Sequence, residues 1–259
     1  MIKLENYEVL GWEHAIRGMR NPLNSWEQSD SCWSYDMLTK KPDLVTVDDD
    51  LFLHVQNDGD GTFDIGPNDQ KLMMNLRNAG TDHRKFMRML TVYVDITAPL
   101  YWWKEFDTYK VGTVANSCST MHKIHAKEFI ADDFSFDIPG EYDEFFFTPV
   151  EVAELANRMV VTCEYLRKEY LWRIEESKNP NRTEHERLHY KRAAKKVWRL
   201  LIQYMSISYN QKRTVMLNYE VLANIYKSRR HHKLDEWHVL CDWIEKLPYA
   251  ELITGETET

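Results

Sequence analysis

The chain has 259 residues, a formal net charge of −8 and 43% hydrophobic residues. This composition predicts a globular protein with a real core, and the acidic balance excludes broad nucleic-acid binding, which depends on clustered Lys and Arg. Apolar runs of about 18 residues, as a membrane span needs, are missing, and the start MIKLENYEV has no signal pattern, so we expect a cytoplasmic protein that contacts no membrane.

The first 66 residues predict one strand, one helix and an irregular region. Residues 2–9 alternate in polarity and predict a strand, and GWEHAIRGMR, residues 11–20, predicts a short helix. Residues 21–66 include the acidic run 48–50, and they fit two short strands joined by a turn at 58–61.

The middle of the chain continues this mixed pattern. A helix is predicted over 67–79, since it starts with a proline and is followed by Gly80. FMRMLTVYVDI, residues 86–96, is rich in β-branched residues and predicts a strand. An aromatic helix then runs from Pro99 to about residue 109, and residues 111–122 are predicted to be extended or looped.

Two capping boxes predict the starts of long helices in the second half. Thr148 is followed three residues later by Glu151, and Thr183 by Glu186. Two more helices are predicted at about 214–228 and 233–246, so strands come early and helices late, as in an α+β protein. The end, residues 251–259, predicts a flexible acidic tail.

The sequence HERLH, His185 to His189, matches the H-E-x-x-H signature of zinc hydrolases. Its surroundings are charged on nearly every side, and Glu186 is already explained by the capping box. A solvated helix start is therefore favoured over a zinc site.

Two blocks of sequence resemble one family. TAPLYWWKEFDTYKVGTVANSCSTMHK, residues 97–123, combines a strand, an aromatic helix and a hydroxyl-rich turn. NYEVLANIYKSR, residues 218–229, is followed by DEWHV from residue 235. Both blocks resemble the flavin-dependent thymidylate synthase (ThyX) family, in which R-H-R-x-x-S-x-N-E-x-S-x-R-Y follows the aromatic helix and N-A-R-S-L-x-N-F-L-x-L-R precedes H-A-Q-W-E-I. The resemblance covers most of the chain except 21–66 and about 170–190, which look like insertions.

The signature motif of the family is degenerate in this chain. In an alignment without a gap, the family's R-H-R corresponds to Thr108, Tyr109 and Lys110. Cys118 then stands at the position of the key serine, and Thr120 stands at the position of the nucleotide-binding arginine. With one residue inserted, the alignment instead matches Asn116 and Ser119 and places Met121 and His122 at R-Y. In both alignments that arginine is lost, and Lys110 does not replace a planar guanidinium.

The resemblance implies a fold, an assembly and a set of site residues. The implied fold is a single α+β domain over residues 1–250, with a twisted antiparallel or mixed sheet packed against long helices and a homotetrameric assembly. The implied catalytic residues are Ser119, Arg229 and Arg230, and the sequence does not choose between the two arginines. The implied contacts to FAD are Tyr109, Lys110, Thr113, Asn116, Asn218 and Asn224. The implied contacts to a pyrimidine nucleotide are Ser117, Cys118, Thr120, His122, Arg17 and Arg20.

Each part of this site also has a structural interpretation. The hydroxyls of 117–120 would cap a turn, the arginines would pair with Asp235 and Glu236, and the aromatic helix would pack in the core rather than stack on a base.

Two functions follow from the resemblance. The first is an enzyme that methylates dUMP to dTMP with methylenetetrahydrofolate and a reduced flavin. The second is a non-catalytic relative that binds or sequesters a different nucleotide, and the broken R-H-R motif favours it.

Overall fold

The computed structural model describes residues 2–34, 54–57, 62–136 and 148–255. The strands are β1 Lys3–Leu10, β2 Cys32–Ser34, β3 His54–Asn57, β4 Thr62–Asp64, β5 Thr91–Pro99, β6 Val114–Ser117 and β7 Asn210–Asn218. The helices are α1 Trp12–Arg20, α2 Pro67–Asn78, α3 Leu100–Phe106, α4 Pro149–Glu176, α5 Glu184–Tyr204, α6 Tyr219–Arg229, α7 Asp235–Ile244 and α8 Glu251–Thr254.

The strands form two sheets. The larger has the order β1-β5-β7-β6, and the smaller has the order β2-β4-β3 with antiparallel pairing. Helices and antiparallel sheets together confirm the predicted α+β class. None of the helices in the described residues is long and apolar enough to span a bilayer.

The chain divides into two compact units. We call the first the arm unit, which comprises residues 97–105 and 117–212, and the second the sheet unit, which comprises residues 2–96, 106–116 and 213–259. The single domain expected over residues 1–250 stays a prediction.

The sheet unit has an aromatic core. Trp12 is fully buried and meets Tyr219 edge to face, with ring centroids 5.5 Å apart, and Tyr249 at 5.4 Å. Leu222 and Trp237, from α6 and α7, are also fully buried. Both helices are therefore held firmly in the core, α6 by most of its circumference.

The arm unit is built on the helix pair α4 and α5. Both capping boxes are confirmed, since the Thr148 and Thr183 hydroxyls accept bonds from the N–H groups of Glu151 and Glu186. Beneath the pair lies a core cluster of Ile124, Phe129, Phe134, Cys163, Leu166, Leu201 and Tyr209. Trp102 and Trp103 of α3 are buried as well, and the Trp103 Nε1 donates to the Gln211 carbonyl at 2.9 Å, so they pack in the protein rather than face a ligand.

The structure corrects three sequence-based boundaries. The strand predicted at 86–96 begins as a 3₁₀ turn over Arg84–Arg88, and β5 follows it. The helix predicted at 214–228 is wrong in its first part, because β7 continues to Asn218 with Val215 and Leu217 buried in alternation, as a strand requires.

The predicted flexible tail is also wrong in part. Residues 251–254 form α8, with Leu252 and Ile253 buried. The rest of that tail from residue 256, the turn at 58–61 and the acidic run 48–50 lie outside the described residues.

Candidate functional site

Arg229 lies in the sheet unit at the end of α6, between two aromatic rings. Its Nε donates to the Tyr109 hydroxyl at 3.0 Å. Its guanidinium carbon lies 4.7 Å from the Trp237 ring centroid and 5.7 Å from that of Tyr109. Such stacking holds the planar cation in one orientation, because each ring attracts it through its π face.

Arg230, the next residue, has a different environment. It donates to Asp242 at 2.8 Å and lies 3.2 Å from a Glu245 carboxylate oxygen. The hydrogen bond to Asp242 raises the pKa of the Arg230 guanidinium. Arg230 is thus held by two carboxylates, although not by the Asp235 and Glu236 that the sequence suggested. Of the two arginines between which the sequence does not choose, Arg229 is stacked on aromatic rings and Arg230 is paired with two carboxylates.

Asn218 and Asn224, two predicted FAD contacts, both make internal hydrogen bonds. The Asn218 side-chain carbonyl accepts from the Val221 N–H at 3.1 Å and caps the start of α6. The Asn224 side-chain carbonyl accepts from Arg84 at 3.4 Å. Both side-chain carbonyls therefore make hydrogen bonds within the folded chain.

The segment between α3 and β6 supplies the remaining predicted cofactor residues. Lys110 and Asn116 are exposed, and Thr113 is half-buried. The Thr113 hydroxyl is shielded from solvent and has no hydrogen-bond partner within the described part of the chain. An unsatisfied hydroxyl of this kind is costly, so it is a natural contact for a bound ligand.

The two arginines of α1 differ as sharply as those of α6. Arg17 is exposed, whereas Arg20 is 4% exposed and its Nε lies 2.6 Å from Asp69. A second Arg20 nitrogen donates to the Ser25 carbonyl at 3.1 Å. Arg20 is therefore an internal ion-pair partner, which corrects its proposed role in substrate binding. The sequence did not reveal this role because Asp69 lies far from Arg20 along the chain.

In the arm unit, the hydroxyl-rich segment is partly a capped turn. The Ser119 hydroxyl accepts from the His122 N–H at 2.9 Å, as the structural interpretation expected. The Cys118 N–H donates to the Lys212 carbonyl and its carbonyl accepts from Gln211, each at 2.9 Å. The side chains of Ser117 and His122 remain exposed, and Thr120 is half-buried.

His122 also lines a pocket of about 310 Å³ within the arm unit. The polar and aromatic members of its wall are His122, His125, Tyr170, Lys191, Lys195 and Trp198. Apart from His122, the sequence reasoning did not select these residues. The signal that could have found them is the spacing of Lys191, Lys195 and Trp198, which puts all three on one face of α5.

The H-E-x-x-H segment has the structure of a capped helix start. The Glu186 carboxylate accepts from the Thr183 N–H and hydroxyl, both at 2.8 Å. Across the described ranges, groups of three His, Cys, Asp or Glu side chains able to hold a metal ion are absent. Glu186 thus serves the capping box.

Comparison with solved structures identifies the fold. The chain aligns with a ThyX thymidylate synthase from Helicobacter pylori bound to FAD and dUMP, at 15% identity and a TM-score of 0.58, covering 98% of both chains. A second structure of the Helicobacter pylori enzyme with FAD and dUMP gives 16% identity and a TM-score of 0.55, with 99% of both chains covered. A UMP/dUMP methylase, PolB from Streptomyces cacaoi, bound with 5-Br dUMP, gives 13% identity and a TM-score of 0.50, covering 98% of this chain and 94% of that one.

Sequence comparisons give no such match. No family model matches the chain, and no curated protein matches it by sequence. At these identities the structural similarity concerns the fold, so the chain has a ThyX-like fold.

Proposed function

We propose that this chain is a ThyX-like nucleotide-binding protein that takes a pyrimidine nucleotide such as dUMP. The observation that carries the proposal is the stacked Arg229, whose cation is held over Trp237 and bonded to Tyr109. The residue was selected from the sequence block that resembles the family, and the solved structures of similar fold contain dUMP or its 5-bromo derivative.

The chemistry of Arg229 suits such a ligand. A guanidinium presents several N–H donors in a rigid plane, which matches a phosphate or the carbonyl edge of a uracil ring. Its orientation is set before a ligand arrives, so less conformational entropy is lost on binding. The unsatisfied Thr113 hydroxyl, in the same unit, offers one further neutral donor and acceptor.

FAD fits the residues of the sheet unit poorly. A reduced flavin would supply the hydride for methylation of dUMP. Two of the predicted FAD contacts already make hydrogen bonds within the protein. The Tyr109 hydroxyl accepts from Arg229, and the Asn218 side chain caps the start of α6. Lys110 is the one basic side chain of residues 108–116, which is little charge for a dinucleotide diphosphate. We therefore derive no catalytic step through the flavin and favour nucleotide binding over synthase activity.

The alternative, a non-catalytic relative that binds or sequesters another nucleotide, stays a separate prediction. The homotetrameric assembly and the cytoplasmic location also stay predictions. So do the catalytic roles of Ser119 and Arg230.

Titration calorimetry with dUMP tests the role of Arg229. We expect Arg229→Lys to weaken dUMP binding at least about tenfold, because lysine keeps the charge but loses the planar fork and the stacking. The matched control is Arg230→Lys, which keeps a cation beside Asp242 and Glu245 and should change the affinity by less than about threefold. Equal losses in both variants, or a wild-type protein that binds neither dUMP nor UMP, would contradict the proposal.

An absorbance spectrum of the purified protein separates the two functions. We expect no flavin bands before or after incubation with FAD. A yellow protein that retains FAD would favour the synthase, and formation of dTMP from dUMP would then be the assay to follow.

A further inference from the structure

The pocket of the arm unit has two lysines on one wall. Lys191 and Lys195 are one helical turn apart on α5, and both are exposed. Side chains at this spacing are neighbours, and a like-charged pair destabilises a helix slightly. Within residues 2–34, 54–57, 62–136 and 148–255, neither ammonium lies within 4.0 Å of a carboxylate. In that part of the chain, the pair has no carboxylate partner.

The positive charge extends along the same face of α5. Arg187 and Arg199 continue the four-residue spacing on either side of the lysines, so basic residues recur over about three helical turns. Arg192 and Lys196 add two more positive charges elsewhere on the helix, so α5 as a whole is basic in a chain whose net charge is −8. A small anion approaching the arm unit is attracted to it.

Aromatic rings form the other walls of the pocket. The Trp198 Nε1 donates to the Met121 carbonyl at 3.0 Å, which fixes the orientation of the indole. Tyr170 packs against His125 with ring centroids 4.8 Å apart. Rings held in this way offer flat surfaces for a planar ligand without further ordering.

The two histidines of the pocket play different parts. Burial, and then the charges of Lys123 and Arg167, lower the pKa of His125, so its imidazole is neutral near pH 7. His122 is exposed, and its imidazole faces the same pocket as the lysines. The walls of the pocket thus combine two lysine ammonium groups, polar rings and apolar surface.

We propose that this pocket binds a phosphate ester attached to a planar ring, with the phosphate at Lys191 and Lys195 and the ring against Trp198 and Tyr170. A volume of about 310 Å³ is at the small end of ligand pockets, which suits a nucleoside monophosphate. The inference goes beyond the proposed function, which rests on Arg229 in the sheet unit. His122 is the one residue named for both sites.

Calorimetry with AMP on the full-length protein tests the inference, because the adenine ring gives a large stacking surface and is no pyrimidine. We expect the double variant Lys191→Gln/Lys195→Gln to weaken AMP binding at least about tenfold, since both phosphate contacts are lost. The matched control is Arg192→Gln/Lys196→Gln, which removes two positive charges at the same spacing from α5 but outside the pocket wall. The control should change the affinity by less than about threefold.

Three comparisons complete the test. Adenosine and inorganic phosphate should each bind at least about tenfold more weakly than AMP, and Trp198→Leu should weaken the binding of AMP but not that of phosphate.

Equal losses in the lysine variant and its control would overturn the site, as would a wild-type protein without millimolar or tighter affinity for AMP. Arg229→Lys should leave AMP binding unchanged, so failure of this inference and failure of the proposed function give different results.

Discussion

Two regions of the protein bring cations and aromatic rings together, but the cations have different partners in each region. In the sheet unit, Arg229 is stacked on Trp237 and bonded to Tyr109, and Arg230 is paired with two carboxylates. In the arm unit, Lys191 and Lys195 are exposed at a pocket with aromatic walls and no carboxylate partner among the residues described there.

The difference indicates when a charged side chain matters for the stability of the fold and when it is available to bind a ligand. A buried charge must be paired, because desolvation is costly, and removing its partner leaves an uncompensated charge in the folded state. An exposed cation beside a pocket contributes little to stability and remains available to an anion. We therefore expect substitutions in a buried ion pair to change stability, and substitutions of the pocket lysines to change binding alone.

The largest expected effect is at the buried ion pair of the sheet unit. Asp69 is fully buried and accepts from Arg20 and from the hydroxyls of Ser29 and Ser31. Burial alone would raise its pKa, but these hydrogen bonds outweigh burial and lower it. Asp69→Ala leaves the Arg20 charge unpaired, and we expect a loss of about 3–5 kcal/mol in the free energy of unfolding, measured by urea denaturation.

Asp242→Ala is the control for this substitution. It also removes a carboxylate from an arginine, but the Arg230 and Asp242 side chains are 35% and 56% exposed. We expect its cost to stay below about 1 kcal/mol. Equal costs at the two positions would break the distinction between buried and exposed pairs.

A smaller effect is expected at Glu164 in the arm unit. Hydrogen bonds from Arg167 are the main cause that lowers the pKa of Glu164 from 4.5 to about 2, the Phe129 N–H adds to them, and burial opposes them. The folded state therefore holds the ionised form more tightly than the unfolded chain does. Its contribution is fully present above about pH 4.5 and is lost as the pH falls through about 2.

Acid titration of stability checks this contribution. We expect Glu164→Gln to lower the free energy of unfolding by about 2 kcal/mol at pH 6, with the difference from the wild type shrinking toward pH 2. A difference that stayed constant with pH would mean that the side chain acts through packing rather than charge.

The smallest effect is expected at the cap of α6. The Asn218 side chain accepts from the Val221 N–H at 3.1 Å. Asn218→Ala should cost about 1 kcal/mol, because one N–H at the start of the helix loses its partner, whereas Asn218→Asp keeps an acceptor and should cost less. Thermal denaturation of the two variants measures the difference. An alanine variant as stable as the wild type would show that the cap does not stabilise α6.

The sequence predicted the helices with strong local signals well. Both capping boxes are confirmed at Thr148 and Thr183, since a hydroxyl and a carboxylate three residues apart determine a helix start locally. The sequence predicts a helix over about 214–228, but residues 214–218 belong to β7. Pairing of β7 within the sheet decides this, and such pairing is not local in sequence.

The candidate site was predicted less completely. The resemblance implies Arg229 or Arg230 without choosing between them, and the partners that hold Arg229 come from a loop 120 residues earlier and from α7. Arg20 was selected by the same reasoning and is instead held by Asp69, 49 residues away. Residue type alone does not distinguish these cases, because each arginine is the last residue of a helix.

By itself, the sequence determined the α+β class, the long helix pair, the ThyX-like resemblance and the loss of the R-H-R signature. These depend on composition, capping and the order of motifs, all of which can be read along the chain. The tertiary structure decided which cations are paired, which are stacked and which line a pocket. Those outcomes depend on contacts between distant segments, since the energy of a charge is set by its burial and its neighbours rather than by its position in the sequence.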